Sequence, residues 1–173
     1  MSDQTIIRPE QPDDIDAIRR INELAFGAPG EAKLVDALRN ANAIVLSLVA
    51  EVDKQVVGHI LFSSVDIDRG STHDNAVGLA PMAVLPDAQR RGIGKTLVQS
   101  GIKQIRDAGH GAIVVLGHPG YYPRFGFKPA SEFELRWEVP GHEKAFFAME
   151  LRPGFLGVRP GTVRYRPEFM QLS

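Results

Sequence analysis

The apolar positions of this chain fall into short runs of two kinds, separated by turns rich in glycine and proline. Thr5-Ile6-Ile7-Arg8 predicts a short opening strand. Pro12-Asp13-Asp14 then opens a helix, since proline suits a first turn and acids favour its positive end. Ile15, Ile18, Ile21 and Ala25 keep one face apolar as far as about Phe26. Gly27-Ala28-Pro29-Gly30 breaks that helix. Leu34, Val35 and Leu38 mark a second, shorter one from Glu31 to about Asn40. Ala43 to Val52 predicts a strand, Asp53-Lys54-Gln55 a turn, and Val56 to Ile67 its hairpin partner. Arg69 to Asn75 predicts a polar loop.

A fourth strand is expected from Ala76 to Leu85, with Pro81 inside it. Proline donates nothing to a ladder, so pairing should bulge or fail there. The helix that follows carries Leu97, Val98, Ile102 and Ile105 on one face, with Lys103, Gln104 and Arg106 elsewhere. Ala112-Ile113-Val114-Val115-Leu116 is continuously apolar, which predicts a strand buried on both faces. A loop with one helical turn is expected over GHPGYYPRFGF. FELRWEV and KAFFAMEL read as a closing hairpin, and GTVRYRP as an edge strand. The helix between the fourth and fifth strands makes those two parallel neighbours. The fold class is α/β with a mixed sheet in a single domain.

Composition narrows function mainly by exclusion. The chain has 173 residues, 43% apolar and 24% charged, with a net charge of -1. That balance offers no general attraction to nucleic acid or an anionic membrane. Without cysteine there is no disulfide framework and no thiolate. Met1-Ser2-Asp3-Gln4 lacks the basic start of a signal peptide, and no apolar run reaches the ~20 residues of a bilayer span. The expected location is cytoplasmic. The five histidines show no metal-ligand spacing.

The chemistry concentrates at the mouth of the third helix, in Gln89-Arg90-Arg91-Gly92-Ile93-Gly94-Lys95-Thr96. Two glycines and three cations at a helix start suit an anion. Gly94-Lys95-Thr96 ends like a phosphate-binding P-loop, but the first glycine of that motif would fall at Gln89. Gly92 and Gly94 begin a dinucleotide fingerprint, but its third glycine would be Leu97. Glycines that merely ease a helix start, and arginines that merely face water, remain open readings.

In context the segment is Q-x-x-G-x-G between a strand and an amphipathic helix. It resembles the acyl-CoA-binding motif of the GNAT N-acyltransferase superfamily. Tyr122-Pro123-Arg124-Phe125-Gly126-Phe127 resembles that family's second signature, after the fifth strand. The wording LGHPGYYPRFGF is similar to a YhbS-like subgroup of acetyltransferases.

The resemblance implies a central mixed sheet of about seven strands, splayed between the fourth and fifth and flanked by about four helices. It spans residues 5–151, leaving 152–173 as an extension on the same domain. It implies acetyl-CoA as cosubstrate, no metal, and an amine-bearing acceptor, small molecule or protein. Met82, Ala83 and Val84 would line the pantetheine arm, and Gln89 to Thr96 the pyrophosphate. Tyr122 would give a proton to the departing thiolate, or else merely pack with Tyr121 and Phe125. For the base, Glu31, His118 and His59 are the candidates, each with a structural alternative as helix cap, loop hydrogen-bonder and core histidine. A non-catalytic acyl-CoA-binding module is the alternative function. The end of GTVRYRP could pair across a homodimer.

Overall fold

The computed structural model describes residues 4–172, and the chain forms two compact units. One comprises Met1–Ser63, Pro81–Lys103 and Pro167–Ser173; the other comprises Ser64–Ala80 and Gln104–Arg166.

In the first unit, β1 (Thr5–Pro9) pairs antiparallel with β2 (Ile44–Val52), and β2 with the first part of β3 (Gln55–Asp68). The turn between β2 and β3 places Asp53 and Lys54 at positive φ, a two-residue hairpin whose twist suits the strands. A 3-10 turn at Pro12–Asp14 leads into α1 (Ile15–Phe26). Gly27, left-handed at φ 70°, ends α1 and donates to Glu23 O. α2 (Gly30–Asn40) follows. The apolar faces foreseen for both helices supply the core: Ile18, Leu34, Val35 and Leu38 pack with Val49 and Leu61. Arg8 ties β1 to the turn and to β2, reaching Asp14 at 2.7 Å and Glu51 at 2.9 Å. That hydrogen-bonded pairing holds the Asp14 carboxyl below the usual carboxylate range.

β4 (His73–Val84) runs through Pro81, and α3 (Ile93–Asp107) follows it. Two glycines let α3 lie close to the strands. A Cβ on Gly58 would sit 3.0 Å from Leu97 and 3.1 Å from Ile93. One on Gly101 would enter the ring of Phe62. Each glycine removes the atom that would hold the helix off.

In the second unit β5 (Ala112–Leu116) pairs parallel with β4 at Val77–Ile113 and Gly78–Val114. The ladder stops there, and Leu79 and Val115, one step on, do not pair. The ladder thus ends before Pro81, where pairing was expected to fail. β5 also pairs along its length with β8 (Phe146–Glu150), and β8 with the short β6 (Lys128–Pro129).

Two expectations are corrected. FELRWEV and KAFFAMEL do not form a hairpin. β7 (Leu135–Trp137) pairs instead with β9 (Gly161–Arg164), in parallel. The reason is burial: Phe146 to Met149 are all buried, and β5, apolar on both faces, offers a matching partner. β7 alternates buried Leu135 with exposed Arg136, which suits the half-exposed β9. Nor is GTVRYRP an edge, because β9 is paired on both sides, by β7 and by Asp66–Asp68 of β3. The dimer contact suggested for that edge has no free ladder to use. The strands number nine and the α-helices three among the described residues, against about seven and four expected. β4 also begins at His73, so the polar loop before it is shorter than foreseen.

Candidate active site

The Gln89–Thr96 segment belongs to the first unit. Strand β4 delivers it: Ala83 and Val84 are buried, Met82 half-buried. A 3-10 turn at Pro86–Ala88 reverses the chain, and Leu85 N–H donates to Val57 O at 2.8 Å, tying the loop to β3. The Gln89 side chain donates its Nε2 to Val84 O at 3.0 Å. Gln89 therefore shapes the loop through its amide, a role the motif does not announce.

Arg90 and Gly92 both adopt left-handed backbone, at φ 64° and 79°. For glycine this is free; for arginine it costs ~1 kcal/mol. Alternating handedness turns successive N–H groups toward a common point, the concave arrangement that holds anions. Thr96 N–H and hydroxyl both donate to Gly92 O, at 3.0 and 2.9 Å, which closes the first helical turn. The N–H groups of Ile93, Gly94 and Lys95 lie ahead of that bond, among those a helix start leaves without an internal partner. Arg90, Arg91 and Lys95 are exposed around this mouth, opposed locally by Asp87. A pyrophosphate fits the set on charge and on donor geometry alike.

The second signature belongs to the other unit. Tyr122 opens a 3-10 turn, Tyr122–Phe125, ended by Gly126 at φ 104°. Its ring lies against Gly117, where any Cβ would collide with it. Phe127 meets the ring edge-on at 5.8 Å and Tyr121 at 5.1 Å. The expected aromatic cluster is thus real, and it holds the ring in place. Tyr122 is 9% exposed, and burial pushes its hydroxyl up to about 12. It is protonated throughout the physiological range.

The three base candidates fare differently. His59 is fully buried in the first unit. Asn22 Nδ2 donates to Ile18 O at 2.9 Å, which orients the amide and makes His59 Nδ1 its second acceptor at 3.3 Å. His59 Nε2–H then donates to Ser47 Oγ at 3.0 Å, and Ser47 to Glu10 Oε1 at 2.8 Å. Arg39 closes the chain on Glu10 at 2.8 Å. Burial lowers the imidazole to about 3, so His59 is a neutral core histidine. His118 accepts Gly120 N–H on Nδ1 at 2.9 Å, and its carbonyl takes Tyr121 N–H, so it serves its own loop. Glu31 stands half-buried in the first turn of α2.

Comparison with known proteins matches this architecture. The acetyltransferase (GNAT) family matches residues 15–127. An uncharacterized N-acetyltransferase of Escherichia coli (strain K12), YhbS, is 37% identical over 165 residues, which is 95% of this chain and 98% of that protein. The crystal structure of YhbS in complex with CoA superposes with a TM-score of 0.93, at 35% identity, over 100% of this chain and 96% of that one. A GNAT family acetyltransferase from Brucella melitensis, in complex with acetyl-CoA, gives a TM-score of 0.80 at 39% identity, over 97% of this chain and 99% of that one. With both signatures in place and these likenesses spanning nearly its whole length, the chain belongs to the acetyltransferase (GNAT) family.

Proposed function

We propose that this N-acetyltransferase moves the acetyl group of acetyl-CoA directly to an amine acceptor, small molecule or protein. The loop from Gln89 to Thr96 seats the pyrophosphate, and Tyr122 donates to the departing sulfur. The observation that carries the reading is the left-handed pair Arg90 and Gly92 at the mouth of α3. Strain of that kind persists where the surrounding structure holds it, and it clusters at ligand clamps and active sites. The complexes of the two relatives with CoA and acetyl-CoA support the same assignment.

Acetyl-CoA, when bound, supplies an activated acyl thioester. The rest is done by the chain. Arg90, Arg91 and Lys95 offset phosphate charge, and the first N–H groups of α3 orient it. Met82, Ala83 and Val84 offer strand backbone to the pantetheine arm. The Tyr122 hydroxyl acts as a hydrogen-bond donor rather than as a full acid. A thiol has a pKa of ~8.5, against about 12 for the tyrosine. Complete transfer would run uphill by ~5 kcal/mol, whereas a charge-assisted hydrogen bond stabilises the thiolate at no such cost. With His59 neutral and His118 engaged, the amine enters from its own unprotonated fraction.

We further propose that residues 5–151 form the acyltransferase domain, carrying 152–173 as an extension, and that the enzyme works in the cytoplasm. Among the described residues no helix is long and apolar enough to cross a membrane.

Calorimetry of acetyl-CoA against wild type and Gly92→Glu, with ATP-Mg²⁺ as control, tests the cofactor site. Micromolar binding lost in the variant and absent for ATP is expected. No acetyl-CoA binding would overturn the proposal. Binding without release of CoA thiol over a broad amine screen would make the protein a non-catalytic acyl-CoA module.

A further inference from the structure

Between the end of β5 at Leu116 and the 3-10 turn that Tyr122 opens, the chain has only Gly117 to Tyr121 in which to change direction. His118, Pro119 and Gly120 are exposed there, so packing does little to fix the turn. Hydrogen bonds fix it, and several of them end on His118. Its carbonyl accepts Tyr121 N–H at 3.0 Å and Tyr122 N–H at 3.4 Å. Its ring Nδ1 accepts Gly120 N–H at 2.9 Å. The carbonyl bonds need no particular side chain at position 118; the ring bond does.

A ring nitrogen that accepts the N–H two residues on copies the Asx turn, in which an Asn or Asp oxygen takes that place. Accepting through Nδ1 requires the lone pair there, so this imidazole is the neutral tautomer with its hydrogen on Nε2. Gly120 is fitted to the ring. A Cβ there would stand 3.2 Å from both Cε1 and Nδ1 of His118, tighter than an ordinary contact. From the other side, Arg124 Nη2 donates to Gly120 O at 3.1 Å, and its guanidinium lies 5.2 Å from the centre of the Tyr121 ring. Gly120 is thus tied at its N–H and at its carbonyl, by two residues that flank Tyr122 in the chain.

The Tyr122 ring is seated against Gly117 and Phe127, but the turn sets the backbone from which that ring departs. Placement matters at a reacting centre, where a displacement of about 1 Å can lose ~10²-fold in rate.

We infer that His118 is a positioning residue: its Nδ1, by holding the turn at Gly120, sets where the Tyr122 hydroxyl stands. The ring acts through the tyrosine and takes no proton from the acceptor. The effect on turnover rests on the reading of Tyr122 as the donor to the departing sulfur; the positioning itself does not.

Two amides separate the two ring nitrogens. Asparagine puts an acceptor oxygen where Nδ1 stands, whereas glutamine reaches toward the place of Nε2 and misses Gly120. With an amine found by screening, His118→Asn should keep kcat within about twofold of wild type, while His118→Ala and His118→Gln should lower it about tenfold. Acetyl-CoA affinity, read by calorimetry, should change less than about twofold in all three, since the loss belongs to the reaction step. Equal losses in the Asn and Ala variants, or a fully active Gln variant, would overturn the inference. In a Tyr122→Phe background His118→Ala should cost nothing more, because the group it positions is gone. Losses that multiply there would mean that His118 acts elsewhere.

A second readout does not depend on turnover. The chain has three tyrosines, so ring-¹³C-labelled full chain gives a short spectrum, and the signal missing in Tyr122→Phe is that of Tyr122. That signal should move in His118→Ala and return to its wild-type place in His118→Asn. A signal unmoved in His118→Ala would overturn the positioning. If Tyr122→Phe leaves kcat unchanged, or no amine is turned over, the donor reading falls, while the ring signal still decides whether His118 places the tyrosine.

Discussion

Single side chains decide chemistry here by what surrounds them. Tyr122 keeps its proton because burial makes the phenolate costly, and its ring is clamped between Gly117 and Phe127. Tyr122→Phe should therefore lower kcat by ~10²-fold while acetyl-CoA affinity changes less than twofold. Stopped-flow release of CoA thiol beside calorimetry reads both, and an unchanged kcat would remove the hydroxyl from the reaction. The base side gives a complementary expectation. An alkylamine has a pKa of ~10.4, so kcat/KM should climb about tenfold per pH unit from pH 6 to 9. A plateau setting in near 6.5 would instead mean that a histidine takes the proton. At Gly92 a side chain would meet open space but a disfavoured φ of 79°. Gly92→Ala should then cost ~1–2 kcal/mol in the cofactor-bound loop, measured as acetyl-CoA affinity roughly tenfold weaker or more.

At the level of elements, the position of α3 controls the Gln89–Thr96 loop. Its first turn rests on Gly58, and its middle on Phe62 across Gly101. Gly58→Val would place methyls against Leu97 and Ile93, which must give way. Acetyl-CoA affinity should fall while urea denaturation shows a cost of only ~1–3 kcal/mol, the usual range for overpacking. Full affinity in that variant would separate the helix seat from the loop. The strand pairings follow the same packing logic. β8 pairs along its length with β5, and both strands are nearly continuously buried, as suits the interior of a sheet covered on both faces. β9 sits between β7 and β3, with Val163 and Tyr165 buried and Leu156 buried just before it. A chain truncated after Arg152 should accordingly be insoluble or bind the dye ANS; a soluble, cooperatively folded product would show the tail to be dispensable.

For the whole molecule the buried His59 sets a pH dependence of stability. The unfolded chain takes up a proton near pH 6.5, whereas the folded one resists it until about 3. There is no cost above pH 6.5, and stability falls as pH drops through the window from 6.5 to 3. Between 6.5 and 5 the loss should be ~2 kcal/mol. His59→Gln, read by urea midpoints at pH 7 and pH 5, should be less stable at pH 7 yet lose much less on acidification. An equal loss in both proteins would place the acid sensitivity elsewhere. The charge of the chain as a whole, -1, contributes nothing this specific.

Sequence alone determined the kinds of elements and the positions of the two family signatures. Those are local matters. Ile15 to Phe26, Ala112 to Leu116 and the Gln89–Thr96 loop each declare themselves within about fifteen residues, through periodicity and through glycine and proline. Tertiary structure alone decided the rest. The pairing of β7 with β9 joins residues 26 positions apart, and the chain from Asn22 through His59 and Ser47 to Glu10 joins residues 12 to 37 positions apart. Such contacts depend on which buried surfaces match after collapse, and the pattern around any one residue does not contain that choice.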